Sequence, residues 1–182
     1  PAETLVNTDG HGTRSVPTTF TRITNDDIWY GEHPADARAY EQVVATDAAV
    51  AKAAFAGRQV FLVKPLSFMN LSGEAVGDFS RYYKIPTNEV IVILDDISLP
   101  LGTLRIRKSG SAGGHNGLES VLVHLSTEAV PRLRVGIGQP DGSALHDHVL
   151  GRFTNEELPA VEESVTRAAD AFEYANAHGI DA

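Results

Sequence analysis

The chain has 182 residues, enough for one domain with a substantial core, and carries 15 basic against 24 acidic side chains for a formal net charge of −9. That balance excludes a generic nucleic-acid coat, and no apolar run approaches the ~18 residues that a bilayer span requires. With no cysteine there is no disulfide, thiolate zinc site or thiol nucleophile. No basic stretch followed by an apolar segment marks a secretory signal, so a cytoplasmic location is expected.

Residues 1–35 are rich in Thr, Asp and Asn, with apolar residues scattered without a sustained period. Residues 36–56 are alanine-rich and admit a helix, although their period is poor. Q-V-F-L-V at 59–63 reads as a buried strand ending at Lys64 and Pro65. Ser72 is placed to cap a helix running to about Lys84, with Val76, Phe79 and Tyr83 on one face and Pro86 as its stop. V-I-V-I-L at 90–94 has no polar partner on either face, the pattern of a central parallel strand. Residues 103–107 alternate, Leu104 and Ile106 against Arg105 and Arg107, as a half-exposed strand does.

S-G-S-A-G-G-H-N-G-L at 109–118 then places an imidazole, His115, and an amide, Asn116, after a run of small residues. Such a loop turns tightly and lets the main chain approach a ligand. Leu118, Val121, Leu122 and Leu125 follow at helical spacing, which sets Asn116 near a helix start. The N–H groups and dipole there suit a phosphate or a developing oxyanion; the same loop also serves simply as a cap. Leu133, Val135 and Ile137 alternate as a further strand, and T-N-E-E at 154–157 forms a capping box for a helix reaching about His178, with Gly179 as its stop. Strands alternating with helices imply one α/β domain over residues 1–182, an α/β/α sandwich on a mixed, mostly parallel sheet.

In such sheets ligands bind beyond the carboxyl ends of the strands. Three segments begin where a strand stops: 66–71 with Phe68, Met69 and Asn70, 95–100 with Asp95 and Asp96, and 109–116 with His115 and Asn116. They are expected to converge on one surface. A carboxylate at Asp95 or Asp96 can orient an imidazole and stabilise its protonated form, or cap the following turn. A paired-acid metal site would need a well-spaced histidine pair; His146 and His148 read instead as surface histidines on an exposed, strand-like segment. Phe68 is either a platform for a base or a core residue, and Met69 and Asn70 either line a site or pack and turn. No G-x-S-x-G elbow, Walker loop or G-x-G-x-x-G is present, which excludes the hydrolases and nucleotide binders built on those motifs. Arg105, Arg107 and Lys108 run into the glycine loop and Arg132 and Arg134 follow, while acid gathers in Glu156, Glu157, Glu162, Glu163, Asp170 and Glu173. A local basic face on an acidic protein grips phosphates through few contacts, with a shallow salt dependence.

K-P-L-S-F-M-N-L-S-G at 64–73, D-D-I-S-L-P at 95–100, G-G-H-N-G-L at 113–118 and R-L-R-V-G-I-G at 132–138 together resemble the bacterial peptidyl-tRNA hydrolase family in order and separation. V-L-G-R-F at 149–153 and the terminal helix fit as well, so the resemblance covers roughly residues 58–178. It implies a compact monomer that hydrolyses the ester joining a peptide to the tRNA 3′ end, with tRNA as partner and no membrane, metal or cofactor. In that family a histidine activates water and an aspartate holds it in the productive state; Asp95 matches the aspartate. Phe68 and Asn70 match a substrate-contacting pair, Asn116 matches a tRNA-contacting asparagine, and Met69 and His115 line the same cleft. Gly114, in the matched G-G-H-N motif, is placed with the tRNA contacts, and Arg105, Arg107 and Lys108 with the phosphates.

Residues 1–57 depart from the pattern. Family members open with an apolar strand, a G-L-G-N-P-G turn and T-R-H-N, whose histidine is the general base; here Thr21 and Arg22 are followed by Ile23. Isoleucine accepts no proton. Either another imidazole (His11, His33 or His115) serves, or the chain binds tRNA acceptor ends or other RNA without turnover, or the N-terminal third is not the family's native sequence. Protein interaction through the acidic terminal helix is a further reading. Retention of Asp95, Asn70, His115 and Asn116 favours ester hydrolysis, with Asp95 and His115 as the catalytic residues.

Overall fold

Apolar V-F-L-V at 60–63 does form a strand in the protein, here a computed structural model that describes residues 28–29, 48–55, 58–139 and 145–180. These residues fall into two compact units interleaved along the chain. One holds the described residues up to Ile91 together with Lys108–Pro131; the other holds Val92–Arg107 and the described residues from Arg132 onward.

In the first unit β1 (Ile28–Trp29), β2 (Ala48–Phe55) and β3 (Arg58–Pro65) make an antiparallel sheet in that order. β2 and β3 pair along their whole length, from Ala48 against Pro65 to Phe55 against Arg58. The helix admitted at 36–56 is therefore a strand over 48–55, and the remainder of that segment lies outside the described residues. Alanines without an apolar stripe give a helix nothing to bury, whereas pairing with β3 satisfies their backbone groups.

A 3₁₀ turn at Met69–Leu71 leads directly into α1 (Ser72–Tyr83). Ser72 is the first helical residue and not the cap, its hydroxyl donating to the Met69 carbonyl at 2.9 Å. The apolar face is as expected: Phe79 is buried against Phe61 with ring centroids 5.3 Å apart, and Tyr83 lies 4.7 Å from Phe61 and 4.6 Å from Phe79. Lys84 turns left-handed (φ 54°) and the Ile85 N–H donates to the Ser80 carbonyl at 2.9 Å, closing the helix before Pro86. α2 (Asn116–His124) packs on α1, where the Gly73 N–H donates to Ser120 Oγ at 2.9 Å.

In the second unit β4 (Val92–Asp96), β5 (Leu104–Arg107) and β6 (Arg132–Gly136) form a sheet in the order β4-β6-β5. β4 runs parallel to β6 and β5 antiparallel to it. The sheet is mixed, as expected, but among the described strands the one parallel pair is β4–β6, so parallel pairing is not the majority. The link from β4 to β5, residues 97–103, is too short for the crossover that a parallel return requires. Among the described strands β6, not the one at 92–96, is central here, and four of its five residues are buried.

Leu133 and Val135 of β6 form the core with Ala168 of α4 (Leu158–His178), and Ile93, Leu104 and Ala171 pack against them. The reciprocal bonds of the expected capping box form just before α4, whose N-cap is Glu157 and not Thr154: the Thr154 N–H donates to Glu157 Oε2 at 2.8 Å, and the Glu157 N–H to Thr154 Oγ1 at 3.3 Å. At the other end the Gly179 N–H donates to the Ala175 carbonyl at 2.8 Å. His148 corrects the surface reading. It sits in α3 (Leu145–Leu150), 8% exposed, with Nε2 at 3.0 Å from the Gly138 carbonyl and 3.3 Å from that of Ile137. A buried imidazole N–H there satisfies carbonyls just beyond β6, and strand-like spacing does not apply to a helix. The side chain of His146 lies outside the described residues.

Candidate active site

In the first unit the turn after β3 meets the glycine loop before α2. The Met69–Leu71 turn packs on α2, and a Cβ at Gly117 would overlap Met69 Sδ and stand 3.2 Å from His115 Cε1. Only glycine at 117 lets the thioether and the imidazole sit together over the first turn of that helix. Phe68 is 81% exposed and so is not a core residue; Asn70, Gly114 and Asn116 are exposed as well.

Gly113 (φ 61°) and Gly114 (φ 86°) are left-handed and lead the chain into His115. His115, not Asn116, is the N-cap: Nδ1 accepts from the Leu118 N–H at 3.1 Å. A backbone N–H only donates, so in the neutral ring Nδ1 carries the lone pair and Nε2 the hydrogen. In that tautomer the ring hydrogen His115 can donate is the one on Nε2. The loop is tied down at its start, where the Gly110 N–H donates to the Glu128 carbonyl at 3.1 Å.

The second unit separates the two neighbouring aspartates. Asp96 is 6% exposed; its Oδ1 accepts from the Ser98 N–H at 2.8 Å and the Ser98 hydroxyl at 2.7 Å. Its Oδ2 lies 2.7 Å from Arg134 Nε, an ion pair off the axis of a good hydrogen bond. Asp96 is therefore the turn cap, and Asp95 beside it is half-buried. Arg105 stands opposite Arg134 and Arg107 opposite Arg132, so strand alternation sets four arginines and Asp96 on one face of the sheet. Arg105 and Arg107 are exposed, while Arg132 is 2% exposed. Lys108 is exposed and begins the next segment of the first unit.

The carboxyl ends of β4 and β5 lie at opposite ends of their sheet. Because β5 is antiparallel, its end at Arg107 is level with Arg132 at the start of β6, whereas Asp95 and Asp96 lie at the far end. The structure brings Met69 and His115 together at Gly117 in the unit that also holds Phe68, Asn70, Gly114 and Asn116, and holds Asp95, Arg105 and Arg107 in the other. The Asp96–Arg134 pair escaped motif reading because it depends on the β4–β6 register, which no local pattern gives. Ile23, His11 and His33 lie outside the described residues. Among the described residues no group of His, Asp and Glu is arranged to hold a metal ion, and no helix is long and apolar enough to cross a membrane.

The family model described as peptidyl-tRNA hydrolase matches residues 32–182, carrying the likeness upstream of residue 58. The peptidyl-tRNA hydrolase of Geobacillus kaustophilus (strain HTA426) is 54% identical over 124 residues, covering 68% of this chain and 67% of that one. That of Caldanaerobacter subterraneus subsp. tengcongensis is 52% identical over 117 residues, covering 64% and 63%. The chain thus spans about two thirds of the length of these curated relatives. The crystal structure of peptidyl-tRNA hydrolase from Acinetobacter baumannii superposes with a TM-score of 0.73 at 26% identity, covering 92% of this chain and 82% of that one. Likeness of this extent reflects common descent, and this chain belongs to the peptidyl-tRNA hydrolase family.

Proposed function

We propose that the chain hydrolyses the ester joining a peptide to the 3′-terminal ribose of tRNA, releasing free tRNA, as a cytoplasmic monomer without metal or cofactor. The observation that carries this reading is the packing of the Met69–Leu71 turn on α2, with Met69 and His115 both lying against Gly117. Residues of two family motifs more than forty residues apart thus meet at Gly117, and the exposed Phe68, Asn70 and Asn116 belong to the same two motifs.

Phe68 stacks on an unpaired terminal base, and Asn70 and Asn116 pair with ribose hydroxyls and the ester. His115 donates from Nε2 toward the oxygen on which charge develops as water adds to the carbonyl. Asp95 orients the imidazole that takes the water proton and stabilises its charged form. His11 and His33 are the candidates for that base. The ribose oxygen leaves with a proton as the acyl–oxygen bond breaks. Arg105, Arg107 and Lys108 take acceptor-stem phosphates, which position the substrate without reading its sequence.

The test is turnover of N-acetyl-aminoacyl-tRNA. Release of free tRNA and the blocked amino acid is expected; no cleavage with enzyme in excess, beside retained tRNA binding, would leave only a binding role.

A further inference from the structure

Asp96 is held by more than a turn cap requires. Besides its bonds from Ser98 and its contact with Arg134, its carbonyl accepts the Ile137 N–H at 3.1 Å and the Leu99 N–H at 3.4 Å. The turn then lies down on the end of β6: Leu99 is buried, the Gly138 N–H donates to its carbonyl at 3.1 Å, and a Cβ at Gly136 would overlap the Pro100 carbonyl. The Asp96–Arg134 pair is largely shielded from water, so removing one charge strands the other. Asp95 is the residue just before this clamp. Alternation sends its carboxylate to the opposite face, that of Ile93, Leu133 and Val135.

We infer that Asp96 is a positioning residue for Asp95: by fastening the end of β4 to β6 through Arg134, Ser98 and the turn, it fixes the direction in which the neighbouring carboxylate leaves the strand. The inference rests on the proposed role of Asp95 in orienting the base. A displacement of about 1 Å at such a group costs on the order of a hundredfold in rate, which is why a carboxylate at a strand end needs an anchor. Asp96 itself faces away and touches no substrate.

Asp96→Asn keeps an oxygen for Ser98 and removes the charge facing Arg134; Ser98→Ala, which removes only the hydroxyl bond, serves if the first variant does not fold. Both are compared with wild type on N-acetyl-aminoacyl-tRNA, well below their melting temperatures. For Asp96→Asn kcat falls about tenfold with KM within about twofold, and the acid limb of the kcat–pH profile is displaced. Ser98→Ala gives the same pattern, smaller. An unchanged kcat and pH profile in a folded Asp96→Asn, or a loss confined to KM, overturns the inference. Should wild type itself fail to turn over, the proposed function fails, and the Asp95 carboxyl ¹³C resonance decides the inference alone: displaced in Asp96→Asn it stands, unmoved it falls.

Discussion

Asp95 and Asp96 adjoin in the chain and differ in everything that matters chemically. One is half-buried at the strand end; the other is enclosed by Ser98 and Arg134. The sequence placed both at the edge of the core but could not divide the roles, because alternation separates faces without saying which face carries the arginines. The same holds for His115 and Asn116, where the cap fell to the imidazole. Asn116 is exposed, so Asn116→Ala weakens substrate handling and moves the melting temperature little, which kinetics and calorimetry together check. Gly117→Ala pushes on Met69 and His115 at once, costing about 1–3 kcal/mol by chemical denaturation and raising KM. Tyr83 gives a pH signature: burial first, then the neighbouring Tyr82, raise its phenol above the ordinary tyrosine range. Its contribution to stability is full below the unfolded pKa and is lost as pH rises through the folded one, so Tyr83→Phe flattens the alkaline fall of the melting curve.

At the scale of elements, what is local was legible. The reciprocal bonds of Thr154 and Glu157 and the stop at Gly179 follow from neighbours in sequence, and both form. Thr154→Ala is expected to cost about 1 kcal/mol, read by chemical denaturation. Elements that depend on distant partners were not legible. Residues 48–55 became a strand because β3 was there to pair with, and β5 reversed direction because its link was short. That reversal set the carboxyl ends of β4 and β5 at opposite ends of their sheet, while the Met69–Leu71 turn reached α2 through helix packing that no local pattern encodes.

For the whole molecule, neither unit is a continuous stretch of chain, since residues 92–107 of one are flanked by segments of the other. We therefore expect a single cooperative unfolding transition by circular dichroism and calorimetry; two resolved transitions would show the units to be independent domains. Net charge and function also pull in opposite directions, −9 overall against a basic face. With Arg105, Arg107 and Lys108 as the phosphate contacts, log affinity for tRNA falls with log salt at a slope of about −2 to −3, shallow for an RNA-binding protein. The most direct measurement is single-turnover cleavage of N-acetyl-aminoacyl-tRNA by wild type and Asp95→Asn, beside the tRNA affinity of each. Wild type cleaves and Asp95→Asn is slower by about a hundredfold or more with affinity unchanged. Equal cleavage by the two, or a loss of affinity that matches the loss of rate, contradicts the catalytic assignment.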